Sequence, residues 1–198
     1  MATNKTPVRL VLASTSPFRK AILQKLGLDF ATASPDIEES MLANETPEQL
    51  VVRLAEQKAR AVADSYPENL IIGSDQVAVI NDEILGKPHT HERAVEQLSN
   101  ASGKTVRFHT GLCLYNSASG SIQCEAVPFD VVFKKLTASQ IENYLQNEKP
   151  YNCAGSFKSE ALGIALFEKL VGDDPNTLIG LPLIRLVAML EKEGLAPI

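Results

Sequence analysis

Near its N-terminus the chain passes from a short apolar run, Val8 to Ala13, through Ser14-Thr15-Ser16-Pro17 into an amphipathic stretch, Phe18 to Leu26, that Gly27 closes. The run reads as a strand. Ser16 suits a helix N-cap and Pro17 the first helical position, where a missing N–H is no loss. A strand that turns at once into a helix points to an α/β chain. A Ser-rich turn ending on a helix N-terminus is also a shape that binds phosphate.

The rest of the chain continues the theme. Leu28 to Ala33 reads as a second strand and Asp36 to Glu45 as an acidic loop. Thr46-Pro47-Glu48-Gln49 is a capping box that opens a helix to about Ser65. Asn69 to Gly73 reads as a buried strand ending at Ser74-Asp75-Gln76. Val77 to Ile80 and Glu83 to Leu85 form a hairpin around Asn81-Asp82. Thr90 starts a helix that stops before Gly103. Thr105 to Tyr115, Ser121 to Ala126 and Phe129 to Phe133 read as antiparallel strands, and Thr137 opens a helix to about Asn147. Pro150 to Gly163 is irregular, Gly163 to Phe167 reads as a last strand, and Pro182 to Glu193 is a terminal helix capped by Gly194. With no repeat and no long linker, the reading is a single domain over residues 1–198, an α/β unit with a mixed sheet.

Composition limits the partners. A formal net charge of −5 repels polyanions, so neither nucleic acid nor an anionic membrane is an expected partner. A small phosphate ligand needs cations gathered locally. Cys113, Cys124 and Cys153 are odd in number and widely spaced, without a C-x-x-C. They indicate neither a disulfide framework nor a zinc site. The first apolar run is too short and too charged for a signal peptide, and no stretch approaches the ~20 apolar residues of a membrane span. A cytosolic location is expected.

Individual side chains then matter. Lys58 lies on the apolar stripe of the helix that starts at Pro47, four residues after Leu54 and four before Val62. Taken alone, a lysine snorkelling at the stripe's edge is the commoner outcome; the alternative is a lysine turned inward to an anion. Asp75 follows an all-apolar strand. It is either a turn residue or a carboxylate at the carboxyl end of a buried strand, where α/β proteins bind ligands. Glu38, Glu39, Lys87 and Lys158 mean little singly. His89, His91 and His109 do not form a metal set. The sequence lacks G-x-x-x-x-G-K-[ST], G-x-G-x-x-G after a strand, G-x-S-x-G and H-E-x-x-H, which removes support for kinase, Walker ATPase, Rossmann dehydrogenase and α/β-hydrolase readings.

Taken together, the motifs resemble the Maf family. Leu12-Ala13-Ser14-Thr15-Ser16-Pro17-Phe18-Arg19 looks like its opening L-A-S-x-S-P-x-R. Glu38 falls where the family has an acidic residue after its second strand. Glu56-Gln57-Lys58-Ala59, Gly73-Ser74-Asp75, Gly86-Lys87-Pro88, Gly155-Ser156-Phe157 and Asp174-Pro175-Asn176-Thr177 with Gly180-Leu181-Pro182 follow in order, over essentially the whole chain.

The resemblance implies an elongated mixed sheet with flanking helices and two lobes around a cleft, similar to inosine triphosphatases. It implies a homodimeric nucleoside triphosphate pyrophosphatase that depends on a divalent cation, Mg²⁺ or Mn²⁺, with a looser link to arrest of cell division. Asp75 is then the catalytic residue, Glu38 and Asp75 hold the metal, and Ser14, Arg19, Lys58 and Lys87 bind phosphates. Phe18, Gln76 and Glu160 match the branch that acts on 7-methyl-GTP, with Phe18 where that branch has Trp. Two alternatives stand beside it. One is a dTTP/UTP pyrophosphatase of the same family. The other is a non-catalytic nucleotide-binding regulator of septum formation.

Overall fold

A computed structural model of the protein describes residues 10–198; Val8 and Arg9 of the expected first strand lie outside the described residues. The elements run β1 (Leu10–Ala13), α1 (Pro17–Gln24), β2 (Ala31–Ala33), α2 (Pro47–Ala61), β3 (Leu70–Ile80), β4 (Glu83–Leu85), α3 (His91–Ala101), β5 (Thr105–Asn116), β6 (Ile122–Phe133), α4 (Ala138–Glu148), β7 (Phe167–Val171), α5 (Pro175–Ile179) and α6 (Leu183–Lys192). They form a mixed seven-stranded sheet in the order β2-β1-β3-β5-β6-β7, with β4 paired to β3. β1 is parallel to β2 and β3; the remaining pairs are antiparallel. No helix among the described residues is long and apolar enough to cross a membrane.

Local chemistry sets the helix starts as the sequence indicates. Ser16 accepts from the Arg19 N–H, and Thr46 and Thr137 make full capping boxes with Gln49 and Gln140. Three strand expectations are corrected. β3 does not end at Asp75 but runs on to Ile80, because β5 pairs with it continuously from Leu70↔Asn116 to Val79↔Arg107. β6 likewise runs unbroken past Pro128, whose ring stands opposite His109. The last strand is Phe167–Val171; Leu162–Leu166 is a 3-10 turn.

Alternation along the strands divides the core. Leu10, Leu12, Leu70, Ile72, Leu112 and Leu114 face α1 and α6. Val11, Ala13, Ile71 and Cys113 face the small residues Ala55 and Ala59 of α2. A third cluster, with Phe108, Phe133, Phe157 and Phe167, fills the far end of the long strands under α3 and α4. Each fully buried Leu, Ile or Phe contributes about 1.5–3 kcal/mol.

α2 comes closer to the sheet than side chains would allow. A Cβ on Gly73 would fall on the carbonyl oxygen of Ala55, and one on Gly111 on that of Val51. These glycines let helix backbone rest on strand backbone. That contact sets the depth at which Lys58 meets the sheet.

The cleft follows from strand lengths. β1 pairs with β3 only as far as Leu12↔Ile72, and β4 joins only at Ala78. The edge of β3 from Gly73 to Val77 is therefore open on that side. The gap separates the two clusters under α1, α2 and α6 from the cluster under α3 and α4.

Candidate active site

The gap opens into a cleft of about 650 Å³. One wall is the turn after β1 and the start of α1, with Ser14, Ser16, Phe18 and Arg19. The other includes the loop after β4, with Gly86 and Lys87. Asp75 and Gln76 line it from β3, Lys58 from α2 and Glu39 from the loop after β2.

Lys58 is turned inward, not snorkelling: it is 7% exposed. Its ammonium donates to Asp75 Oδ1 at 2.6 Å and faces Glu39 Oε1 at 2.7 Å. Asp75 is itself only 9% exposed. Two charges taken this far from water are stable only as a close pair, so each fixes the other. Arg19 donates through Nε to the Gly180 carbonyl at 2.8 Å. Burial pulls its guanidinium below the ordinary value, and the negative charges of Asp75 and Glu39 oppose that shift. Arginine stays protonated through such changes. Ser14 Oγ accepts from the Ser16 N–H at 3.1 Å, which tightens the turn leading into α1.

The Asp174-to-Pro182 motif is the brace behind these groups. Asp174 accepts from the Asn176 N–H and the Ile184 N–H at 2.8 and 2.9 Å, tying α5 to α6. Gly180, at φ 114°, closes α5 in a conformation that favours glycine. Its carbonyl receives both Arg19 and the Ser74 hydroxyl, the latter at 2.9 Å. On the opposite side of β3 from Asp75, the Gln76 amide donates to Thr110 Oγ1 and to the carbonyls of Thr177 and Leu178. That fixes the side chain, which lines the cleft.

A recess of about 140 Å³ adjoins the cleft. Phe18, Gln76 and Glu160 line it together, with Asn152 and Phe157. Phe18, 43% exposed, is part of this lining. Glu160 is exposed, with a 3.4 Å contact from the Ser159 hydroxyl. Gly155 at φ 74° and Ser156 at φ 63° turn the chain here, and Ser156 is held by Gln97.

The structure thus brings Ser14, Phe18, Arg19, Lys58, Asp75, Gln76 and Lys87 to one cleft, and Glu160 to its recess. It does not bring Glu38 there. Glu38 points away, accepting from the N–H and hydroxyl of Ser40, contacts that hold its carboxyl below the usual range. Glu39 takes the place in the cleft. A signal for this was present. After β2 burial alternates, with Ala33, Pro35 and Ile37 half-buried and Ser34, Asp36 and Glu38 exposed; carried one residue on, that parity turns Glu39 inward. Asn152, which lines both cavities, carries no such signal. Lys158 is structural, donating to the Glu148 carbonyl at 3.0 Å. His91 binds Tyr151 and Glu142. Among the described residues no group of three or more His, Cys, Asp and Glu side chains is placed to hold a metal.

The Maf-like protein family matches residues 9–193 of the chain. The chain belongs to the Maf family. A curated relative from Nitrosococcus oceani, named 7-methyl-GTP pyrophosphatase, is 59% identical over 188 residues, covering 95% of this chain and 94% of the relative. Among solved structures, the Staphylococcus aureus Ham1 protein is similar at 14% identity and a TM-score of 0.49, over 93% of this chain and 98% of that one. That likeness is too distant to bear on the fold, which rests on the sheet itself.

Proposed function

We propose that this Maf protein hydrolyses a nucleoside triphosphate between its α- and β-phosphates, with 7-methyl-GTP as the preferred substrate and 7-methyl-GMP and pyrophosphate as products. The observation that carries the reading is the meeting of three cations and two carboxylates in a cleft whose side recess is lined by Phe18, Gln76 and Glu160. The 59% identity to a relative named for this activity supports it.

Attack at the α-phosphorus needs neutralised phosphate charge, a placed water and a fixed geometry. Arg19, Lys58 and Lys87 supply fixed positive charge to the triphosphate, and the N–H groups at the start of α1 with Ser14 receive phosphate oxygens. Asp75, held by Lys58, orients the water and takes its proton as the α–β anhydride bond breaks and pyrophosphate leaves.

The donors present fit a divalent cation. Asp75 and Glu39 are hard oxygen ligands that converge on one ammonium inside the cleft. Mg²⁺ is commonly held by one or two carboxylates plus substrate phosphates, without a full protein cage. Asp75 and Glu39 would hold it; Glu38 would not. Held there, such a cation would supply further positive charge against the phosphates.

In the recess, a 7-methylguanine ring carries delocalised positive charge. The face of Phe18 attracts it, and the Glu160 carboxylate accepts from N1–H and the exocyclic amine. Thymine and uracil lack that donor pair. The family match over residues 9–193 and the continuous sheet support one domain for the chain. Cys113 and Cys124 adjoin across β5 and β6 yet are free, as is Cys153, which supports a reducing, cytosolic location; the family resemblance supports a homodimer.

Phosphorus NMR of purified protein with Mg²⁺ and 7-methyl-GTP tests the reaction. Pyrophosphate and 7-methyl-GMP are the expected products; orthophosphate as the first product overturns the reading.

A further inference from the structure

Glu39 sits at a delicate place. It lies in a loop without regular structure, and its side chain is 60% exposed although its carboxylate meets a buried ammonium. Its contact with Lys58 alone would not hold such a loop, since the carboxylate end of the pair stands largely in water and fixes one side chain, not the backbone that follows. Something else must fix residues 40–45.

Arg53 does so. It stands on α2, five residues before Lys58, and its side chain is 21% exposed. Nε and Nη2 donate to the two oxygens of Glu45 at 2.6 and 2.7 Å, a planar fork on a carboxylate. Nη2 also donates to the Ser40 carbonyl at 3.0 Å, and Nη1 to Gln57 Oε1 at 3.1 Å. Glu45 in turn accepts from the Leu42 N–H at 3.0 Å, and the Glu45 N–H returns to the Leu42 carbonyl at 3.3 Å. One guanidinium therefore ties both ends of the 40–45 turn to the helix that carries Lys58. Ser40, the near end, directly follows Glu39. Arg53 is absent from the cleft lining, and four of its five N–H donors go to the loop and helix, so it is no substrate ligand.

We propose that Arg53 is a positioning residue: through Glu45 and the Ser40 carbonyl it staples the 40–45 loop to α2 and so holds Glu39 against Lys58 in the cleft. The proposal rests on the reading of Glu39 as a carboxylate of the metal and phosphate site. Arg53 holds the Glu45 carboxyl down to about 2. The sign follows: a depressed carboxylate stays paired above its ordinary value and is lost only as pH falls toward its folded value, so the staple is closed at every working pH. Lysine cannot replace it fully, because a point charge cannot engage both oxygens of Glu45 and the Ser40 carbonyl at once.

The test compares R53Q, R53K and E45Q with wild type in two measurements. In amide hydrogen exchange without nucleotide or metal, R53Q and E45Q should speed exchange at Leu42 and Glu45 by about tenfold or more, with the α2 amides unchanged; R53K should lie between. In steady-state hydrolysis, the Mg²⁺ concentration for half-maximal rate should rise about tenfold in R53Q, with kcat at saturating Mg²⁺ within about threefold of wild type. Unchanged exchange at Leu42 and Glu45 overturns the staple. So does a raised nucleotide KM with unchanged Mg²⁺ dependence, which would make Arg53 a substrate contact. If wild type releases no pyrophosphate, or if E39Q leaves the Mg²⁺ dependence unaltered, the reading of the site fails, and the exchange measurement still decides whether Arg53 holds the loop.

Discussion

At the phosphate half of the cleft, Lys58 and Asp75 are buried in contact with one another and Arg19 is anchored to a backbone carbonyl. At the base half, Phe18 and Glu160 stand exposed, and only Gln76 is held, by three acceptors. The first half is rigid before any ligand arrives. Lys58 and Asp75 are already desolvated, and on the proposed function they would act on phosphate without reorganising. The second half gains much of its order on binding, and some of its binding energy is spent in doing so. On that reading, chemistry is built into the apo fold, while discrimination among bases develops with the complex.

The largest effect should come from the rigid half. Asp75→Asn keeps the size of the side chain and removes its charge, and should lower kcat on the order of 10²–10⁴-fold. Glu39 still faces Lys58 in that variant, so circular dichroism should show the fold kept, with the melting temperature lowered because the buried ammonium has lost its buried partner. Near-normal turnover would remove Asp75 as the base.

Lys58→Ala should come next. It leaves two carboxylates facing each other and strips one phosphate contact. We expect kcat/KM to fall at least tenfold, about 1.4 kcal/mol of transition-state stabilisation. An unchanged kcat/KM would mean that the buried ammonium serves only to neutralise Asp75 and Glu39.

The open half should give the smallest and most selective change. Glu160→Gln should lower kcat/KM for GTP and 7-methyl-GTP, which share the N1–H and exocyclic amine, by about tenfold, more for the cationic 7-methyl ring than for GTP, while leaving dTTP and UTP nearly untouched. Measuring kcat/KM for 7-methyl-GTP, GTP, dTTP and UTP on both proteins decides it. The contrast between the two halves collapses if dTTP or UTP is the best wild-type substrate, or if Glu160→Gln slows every nucleotide equally.

What the sequence made legible was local. Thr46, Thr90 and Thr137 announce α2, α3 and α4 because a cap is formed within a few residues. The phosphate turn at Ser14–Pro17 was visible for the same reason. Long-range pairing was not. Ser74-Asp75-Gln76 looks like the end of a strand because polar residues usually end one, yet β5 carries the ladder through, and the polar side chains are accommodated by a cleft and a brace formed far away in sequence. The edge strand β7 hid itself similarly, since Glu168 and Lys169 face solvent and leave no apolar run. Glu38 was preferred to Glu39 because neighbouring identical residues differ only in parity, and parity is read only if the segment after β2 is known to stay extended.

Gly73 and Gly111, where α2 rests on bare backbone, have a consequence for how this protein tolerates change over generations. No side chain sets the spacing at that contact, so exchanges of Leu for Ile or Val elsewhere in the core leave the helix at the same height. The reacting groups are insulated from drift in the surrounding packing. The same arrangement concentrates vulnerability: a single methyl at position 73 or 111 would lift α2 and carry Lys58 away from Asp75, inactivating the enzyme from two positions that hold no chemistry of their own.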